Sequence, residues 1–143
     1  MAYGAMLSGF TLANSGLGTI HGFASSVGGK FDIPHGTICG TLMGVTNRLN
    51  LKRAEEQGYV QVIDKYAELG KLYSSRQKRS NSYYAWYFIE VLDNLVEDFK
   101  IPKLGTFGVT IDDVAAIVKN TNNKNNPIAF TDVDLDYILM ERL

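Results

Sequence analysis

Ser82-Tyr83-Tyr84-Ala85-Trp86-Tyr87-Phe88-Ile89-Glu90-Val91-Leu92-Asp93-Asn94-Leu95-Val96-Glu97-Asp98-Phe99 carries the clearest period in the chain. Tyr84, Phe88, Val91, Leu92, Leu95 and Phe99 recur three and four apart, the spacing of one helical face. The pattern predicts a long amphipathic helix over 82–99, stopped by Ile101-Pro102. Tyr83, Trp86 and Tyr87 add aromatic bulk, which reads as core: the spacing is helical and no cationic groove accompanies it.

The same period appears on both sides. Upstream, Val60, Ile63, Tyr66, Ala67, Gly70 and Tyr73 form the stripe of a helix expected over 54–73. The polar, basic run from Ser74 to Ser80 reads as a solvated turn between the two helices. Downstream, Thr110-Ile111-Asp112-Asp113 and Thr131-Asp132-Val133-Asp134 are capping-box patterns with Asp in place of Glu. The first opens a helix bearing Val114, Ile117 and Val118, and the second a helix running to Leu143. Asp132, Asp134 and Asp136 make no calcium loop: Tyr137 stands where the sixth-position glycine belongs, and no closing Glu follows.

At the N-terminal end, Tyr3, Met6, Leu7, Phe10 and Ala13 predict a helix over 2–14, with small residues between them that allow another backbone to approach. Ser15-Gly16-Leu17-Gly18 breaks it. A short helix over 19–27 ends at Gly28-Gly29, and Pro34 opens a third through Ile38, Leu42, Val45 and Leu49. No strand pair or internal repeat is evident. The expected fold class is therefore all-α, a multi-helix bundle in one domain over 1–143.

Composition narrows the function classes. The 143 residues can bury a core without a disulfide or structural metal. Fourteen basic against 15 acidic residues, for a net charge of −1, give no electrostatic reason for a nucleic-acid partner or an anionic membrane. No apolar run has spanning length, and Met1 to Met6 lacks the basic start of a signal peptide. The single cysteine, Cys39, suits a reducing, cytoplasmic setting and reads as a small buried side chain with no adjacent charge to lower its pKa.

The chain has two histidines, His21 and His35. Each is expected on a helix beside a glycine-bounded turn, and the connector between those helices is short enough for them to pack together. Two imidazoles so placed form a candidate site for iron, zinc, copper or nickel, although two ligands do not complete a catalytic site. Other chemistries have less support. Gly16-Leu17-Gly18 lacks the third small residue of a dinucleotide fingerprint, and no GKS or GKT phosphate loop occurs. Ser25 lies one helical turn after His21, but no acid near them in sequence would orient the histidine for nucleophilic catalysis.

The stretch from Asn14 to Gly29, followed by Asp32-Ile33-Pro34-His35-Gly36, resembles the C-terminal signature of the iron-containing (group III) alcohol dehydrogenases. Gly18, His21, Ala24, Gly28, Pro34, His35 and Gly36 match in register. Ile101-Pro102, Leu104, Gly108-Val109 and Asn126-Pro127 resemble later landmarks, so the likeness covers nearly the whole chain. It implies a helical domain of the dehydroquinate synthase-like type, with His21 and His35 as ligands of a divalent ion, Fe2+ or Zn2+. It also implies NAD or NADP on a nucleotide-binding domain absent here, and an Asp and a His from a preceding helix completing the site. The chain would then be truncated at its N-terminal side and inactive alone. The ion would hold and polarise the oxygen of a small alcohol or aldehyde while hydride passes to or from the nicotinamide.

Ser25 departs from the pattern, standing where family members often carry a second histidine near the nicotinamide. A substitute catalytic role falls to it, or its position stays open. Two alternatives to the dehydrogenase reading remain. One is a stand-alone helical module whose exposed apolar surface is covered by a missing half or by self-association. The other is a metal-free helical domain whose histidines merely pack.

Overall fold

The computed structural model describes residues 2–143. Among these the chain forms seven α-helices and no strand: α1 (Ala2–Ser15), α2 (Thr19–Gly28), α3 (His35–Gln57), α4 (Val60–Tyr73), α5 (Asn81–Asp98), α6 (Ile111–Asn120) and α7 (Asp132–Met140). A single 3-10 turn, Leu104–Phe107, lies between α5 and α6. The fold is all-α, as the periodicity predicts.

Helix α3 is the axis of the bundle. It packs against α2, α4, α5 and α7, while α6 bridges α2 and α7. One apolar cluster joins Phe23 and Val27 of α2, Ile38 and Leu42 of α3, Ile117 of α6 and Ile138 of α7. These are large side chains almost wholly removed from water, each contributing about 1.5–3 kcal/mol relative to an exposed position. A second cluster gathers Leu51, Tyr66, Ala67, Tyr84, Ala85 and Ile89 between α3, α4 and α5.

Three sequence expectations change. The expected boundary between Leu49 and Ala54 does not occur, and α3 runs on to Gln57. Gly58 ends it in the left-handed region at φ 72°, its N–H directed at the Ala54 and Glu55 carbonyls. Ala54, expected to open the fourth helix, is a buried residue of α3. On α5 the buried face is Tyr84, Ala85, Ile89, Leu92 and Val96, and Phe99 is 73% exposed. On α4, a Cβ on Gly70 would overlap the Tyr84 carbonyl. Helices α4 and α5 come backbone to side-chain-free backbone there, and Tyr66, Ala67, Tyr84, Ala85 and Ile89 pack in one cluster beside the contact. Finally, α7 stops at Met140 rather than Leu143. The Leu104 N–H donates to the Arg142 carbonyl at 2.8 Å, and Arg142 Nε donates to Thr41 Oγ1 at 3.0 Å, so the last residues turn back onto α3.

Both capping boxes form. Thr110 N–H donates to Asp113 Oδ2 at 2.9 Å, and Thr131 N–H donates to Asp134 Oδ2 at 3.0 Å. Helix α1 is different in kind: none of its residues is buried, and Phe10 is 60% exposed. A Cβ on Gly4 or Gly9 would meet nothing, so the small residues of α1 serve no close approach among the described residues. No helix of the described residues is long and apolar enough to cross a membrane.

Candidate metal centre

Two local features bring the histidines together. Gly18, in extended backbone, precedes α2 and puts His21 in its first turn. Pro34, at φ −55° and ψ 134°, precedes α3 and makes His35 its first residue. The link between the helices is tight, with Phe31 N–H donating to the Val27 carbonyl at 2.9 Å and Ile33 N–H to the Phe31 carbonyl at 2.9 Å. The side chains of Val27, Ile33 and Ile38 close this corner against the core. The result is a pair of imidazole rings with centroids 5.4 Å apart, tilted by 47°.

A third donor joins them. Cys39 stands one helical turn after His35, and its Sγ lies 3.4 Å from His35 Nε2. Ligand atoms of His21, His35 and Cys39 all fall within 4.8 Å of one another. His35 is exposed, while His21 and Cys39 are half-buried. The expected burial of Cys39 is thus only partial: one flank packs on the core and the thiol faces the imidazoles. Burial pushes that thiol up from its ordinary value, so it stands as a neutral SH. The sequence does contain the signal, the His35-x-x-x-Cys39 spacing that aligns two side chains on a helix. No aspartate or glutamate joins this cluster among the described residues.

Ser25 lies beside His21 without engaging its ring. Its Oγ donates to the His21 main-chain carbonyl at 3.1 Å, the back-bond of a helical serine. His21, Ser25, Leu17, Gly22 and Asn122 line one small cleft of about 90 Å³. Asn122 is not legible in the sequence as a neighbour of the site. It comes from the Asn-rich segment after α6, and it reaches α2 because residue 22 has no side chain: a Cβ there would overlap the Asn122 carbonyl. Two further contacts hold α2 to α6. Ser26 Oγ and Thr121 Oγ1 are 2.8 Å apart, and Lys30 pairs with Asp113. The Lys30 ammonium and the Thr110 N–H hold the Asp113 carboxyl down at about 2.

Donor chemistry and spacing suit a divalent transition metal: two imidazoles and a thiol converge from two rigid helices, leaving the outer side of His35 open. By fold and site this is an all-α chain with histidines gathered at a helix–helix junction. The family described as "Fe-containing alcohol dehydrogenase family, C-terminal" matches residues 1–143, and the chain belongs to that family. A choline dehydrogenase of Bacillus subtilis is 28% identical over 120 residues, 83% of this chain and 28% of that protein. A 1,3-propanediol dehydrogenase of Citrobacter freundii is 39% identical over 51 residues, 36% of this chain and 13% of that protein. Among solved structures, a 1,3-propanediol oxidoreductase superposes with a TM-score of 0.81 at 25% identity, covering 99% of this chain and 37% of that one. The chain therefore spans little more than a quarter of the choline dehydrogenase and about a third of the oxidoreductase structure.

Proposed function

We propose that this chain is the metal-binding part of a metal-dependent, NAD(P)-linked alcohol dehydrogenase that interconverts small alcohols and aldehydes. The observation that carries the reading is the convergence of His21 and His35, with ring centroids 5.4 Å apart, at the starts of two packed helices. The relatives' names, choline dehydrogenase and 1,3-propanediol dehydrogenase, favour a small hydroxyl compound as substrate.

His21 and His35 would hold Fe2+ or Zn2+ as neutral imidazoles. When bound, the ion supplies Lewis-acid polarisation of the substrate oxygen, and the nicotinamide accepts or delivers hydride. The chain's own residues orient and shield. Pro34 sets the start of α3 and with it the place of His35 in the first turn. Leu17 and Gly22 narrow the cleft beside His21. Ser25 offers a hydroxyl at its edge, but that hydroxyl is engaged with its own helix, so a proton-relay role for it would require a rotated side chain. Two imidazoles leave coordination positions to be filled, and no nucleotide-binding α/β unit occurs among the described residues. The polypeptide of residues 1–143 is accordingly expected to show no alcohol-dependent reduction of NAD+ or NADP+ with added Fe2+ or Zn2+. A robust rate from this polypeptide alone would overturn that division of labour.

The metal reading has its own test. The two histidines are the only ones in the chain, so their ring resonances are readily assigned. Titration with Zn2+ is expected to shift both rings together and saturate at one equivalent, and His21→Ala is expected to remove the response of His35. Rings that stay unmoved at millimolar zinc would leave histidines that merely pack.

A further inference from the structure

We propose that Cys39 is a third protein ligand, so that His21, His35 and Cys39 form a site of two imidazole nitrogens and one sulfur, able to hold a thiophilic divalent ion, zinc above all, from this chain alone. The proposal rests on the metal reading of the two histidines and adds a donor and a preference to it.

The geometry has three parts. First, His35 and Cys39 are four apart on α3, the spacing by which two side chains of one helix reach a single ion. Second, Zn–N near 2.0–2.1 Å and Zn–S near 2.3 Å place the two donors of a tetrahedral ion about 3.5 Å apart. Cys39 Sγ and His35 Nε2 stand at 3.4 Å, already at that separation. Third, the His21 donor lies within 4.8 Å of both, so a small rotation about its side-chain bonds completes a three-donor face. Helices α2 and α3 need not move, and their contact is locked by Phe23, Val27, Ile38 and Leu42.

The thiol changes which ion the site favours. Imidazole alone accepts iron, zinc, copper or nickel, whereas a thiolate among the donors favours zinc and other soft or borderline ions over hard ones. Three protein donors with a fourth position open are also the usual form of a catalytic zinc site. Binding takes the thiol proton to solvent and leaves a thiolate–metal bond. Both Cys39 and His35 remain reachable from solvent, so the ion has an entry path.

Cobalt(II) is the probe, because a thiolate bound to it absorbs by charge transfer in the near ultraviolet and an imidazole does not. The 143-residue chain is expected to bind one Co2+ with that band and with the strong visible bands of a four-coordinate ion. Cys39→Ser is expected to lose the near-ultraviolet band and to weaken binding. Removing an outer partner of a metal ligand already costs 10–100-fold, so losing a direct donor is expected to cost about 100-fold or more. Zn2+ should displace the cobalt from wild type, and Mg2+ should not. Cobalt bound without the charge-transfer band, at an affinity Cys39→Ser leaves unchanged, would overturn the proposal while preserving the two-histidine site. A chain that binds no cobalt at all would overturn it as well. Histidine rings unmoved by zinc would remove both readings together.

Discussion

At the scale of single residues, buried polar atoms separate those that hold the molecule together from those that do not. Asp134 is buried at the start of α7, where it accepts from the Thr131 N–H, from Arg53 Nε at 3.0 Å and from Arg53 Nη2 at 2.5 Å. Burial works against the ionised form, but the Thr131 N–H and the Arg53 guanidinium outweigh it and hold the carboxyl below its ordinary 3.8. A folded value below the unfolded one stabilises above the unfolded value, and the gain fades as pH falls through the folded one. Asp134→Asn is expected to cost about 1.5–3 kcal/mol at neutral pH, the range of hydrogen bonds to charged groups. Urea unfolding should show that gap, and the gap should shrink in strong acid. A gap that stays constant into strong acid would contradict the ionic contribution. Thr46 is the opposite case: its Oγ1 is buried with no partner among the described residues, so removing the hydroxyl removes only a desolvation cost. Thr46→Val is expected to leave stability unchanged or raise it, and a lowered urea midpoint would show a partner for that hydroxyl.

At the scale of elements, the helices are legible wherever an apolar stripe and a cap coincide. Thr110 and Thr131 mark their helix starts because the cap is a local interaction, written within four residues. Pro34 marks the start of α3 for the same reason. Periodicity misplaces the α3–α4 boundary because the residues of 54–57 are equally good helix formers in either helix. Only the left-handed Gly58 decides which helix owns them. The face of α5 is read only in part, because periodicity gives a helix's stripe but not its partner's shape: Tyr84 and Leu92 are buried as expected, whereas Phe99 is exposed. The site shows the same division. The His21 and His35 positions can be read from flanking glycines and proline, while Asn122 reaches them through a long-range contact with no local signature. Gly58 and Gly70 make a paired test. Gly58 has φ 72° and open space around it, so Gly58→Ala incurs backbone strain alone, about 1–2 kcal/mol. Gly70→Ala carries no such strain, but it must push α4 from α5 and is expected to cost more than Gly58→Ala in the same urea assay. Equal costs would mean that the α4–α5 seam yields freely.

At the scale of the whole molecule, exposure is distributed unevenly. The core is closed between α2 and α7, yet α1 carries Tyr3, Met6, Leu7, Phe10 and Leu12 to the surface with no residue buried. Isolated helices of this length are marginal in water, since their stability comes mainly from packing one face. Helix α1 has no such face here, so its amides are expected to exchange with solvent far faster than those of α2 and α3, by hydrogen exchange read residue by residue. Apolar side chains on one unpacked helix favour association. Light scattering coupled to size exclusion is expected to show a mass that rises with concentration. Phe10→Ser with Leu7→Ser should lower that tendency while leaving the zinc response of the histidine rings intact, because α1 contributes nothing to the core that holds them. A strictly monomeric wild type with α1 amides as protected as those of α3 would mean that α1 is packed within the monomer, and the surface would no longer call for a partner.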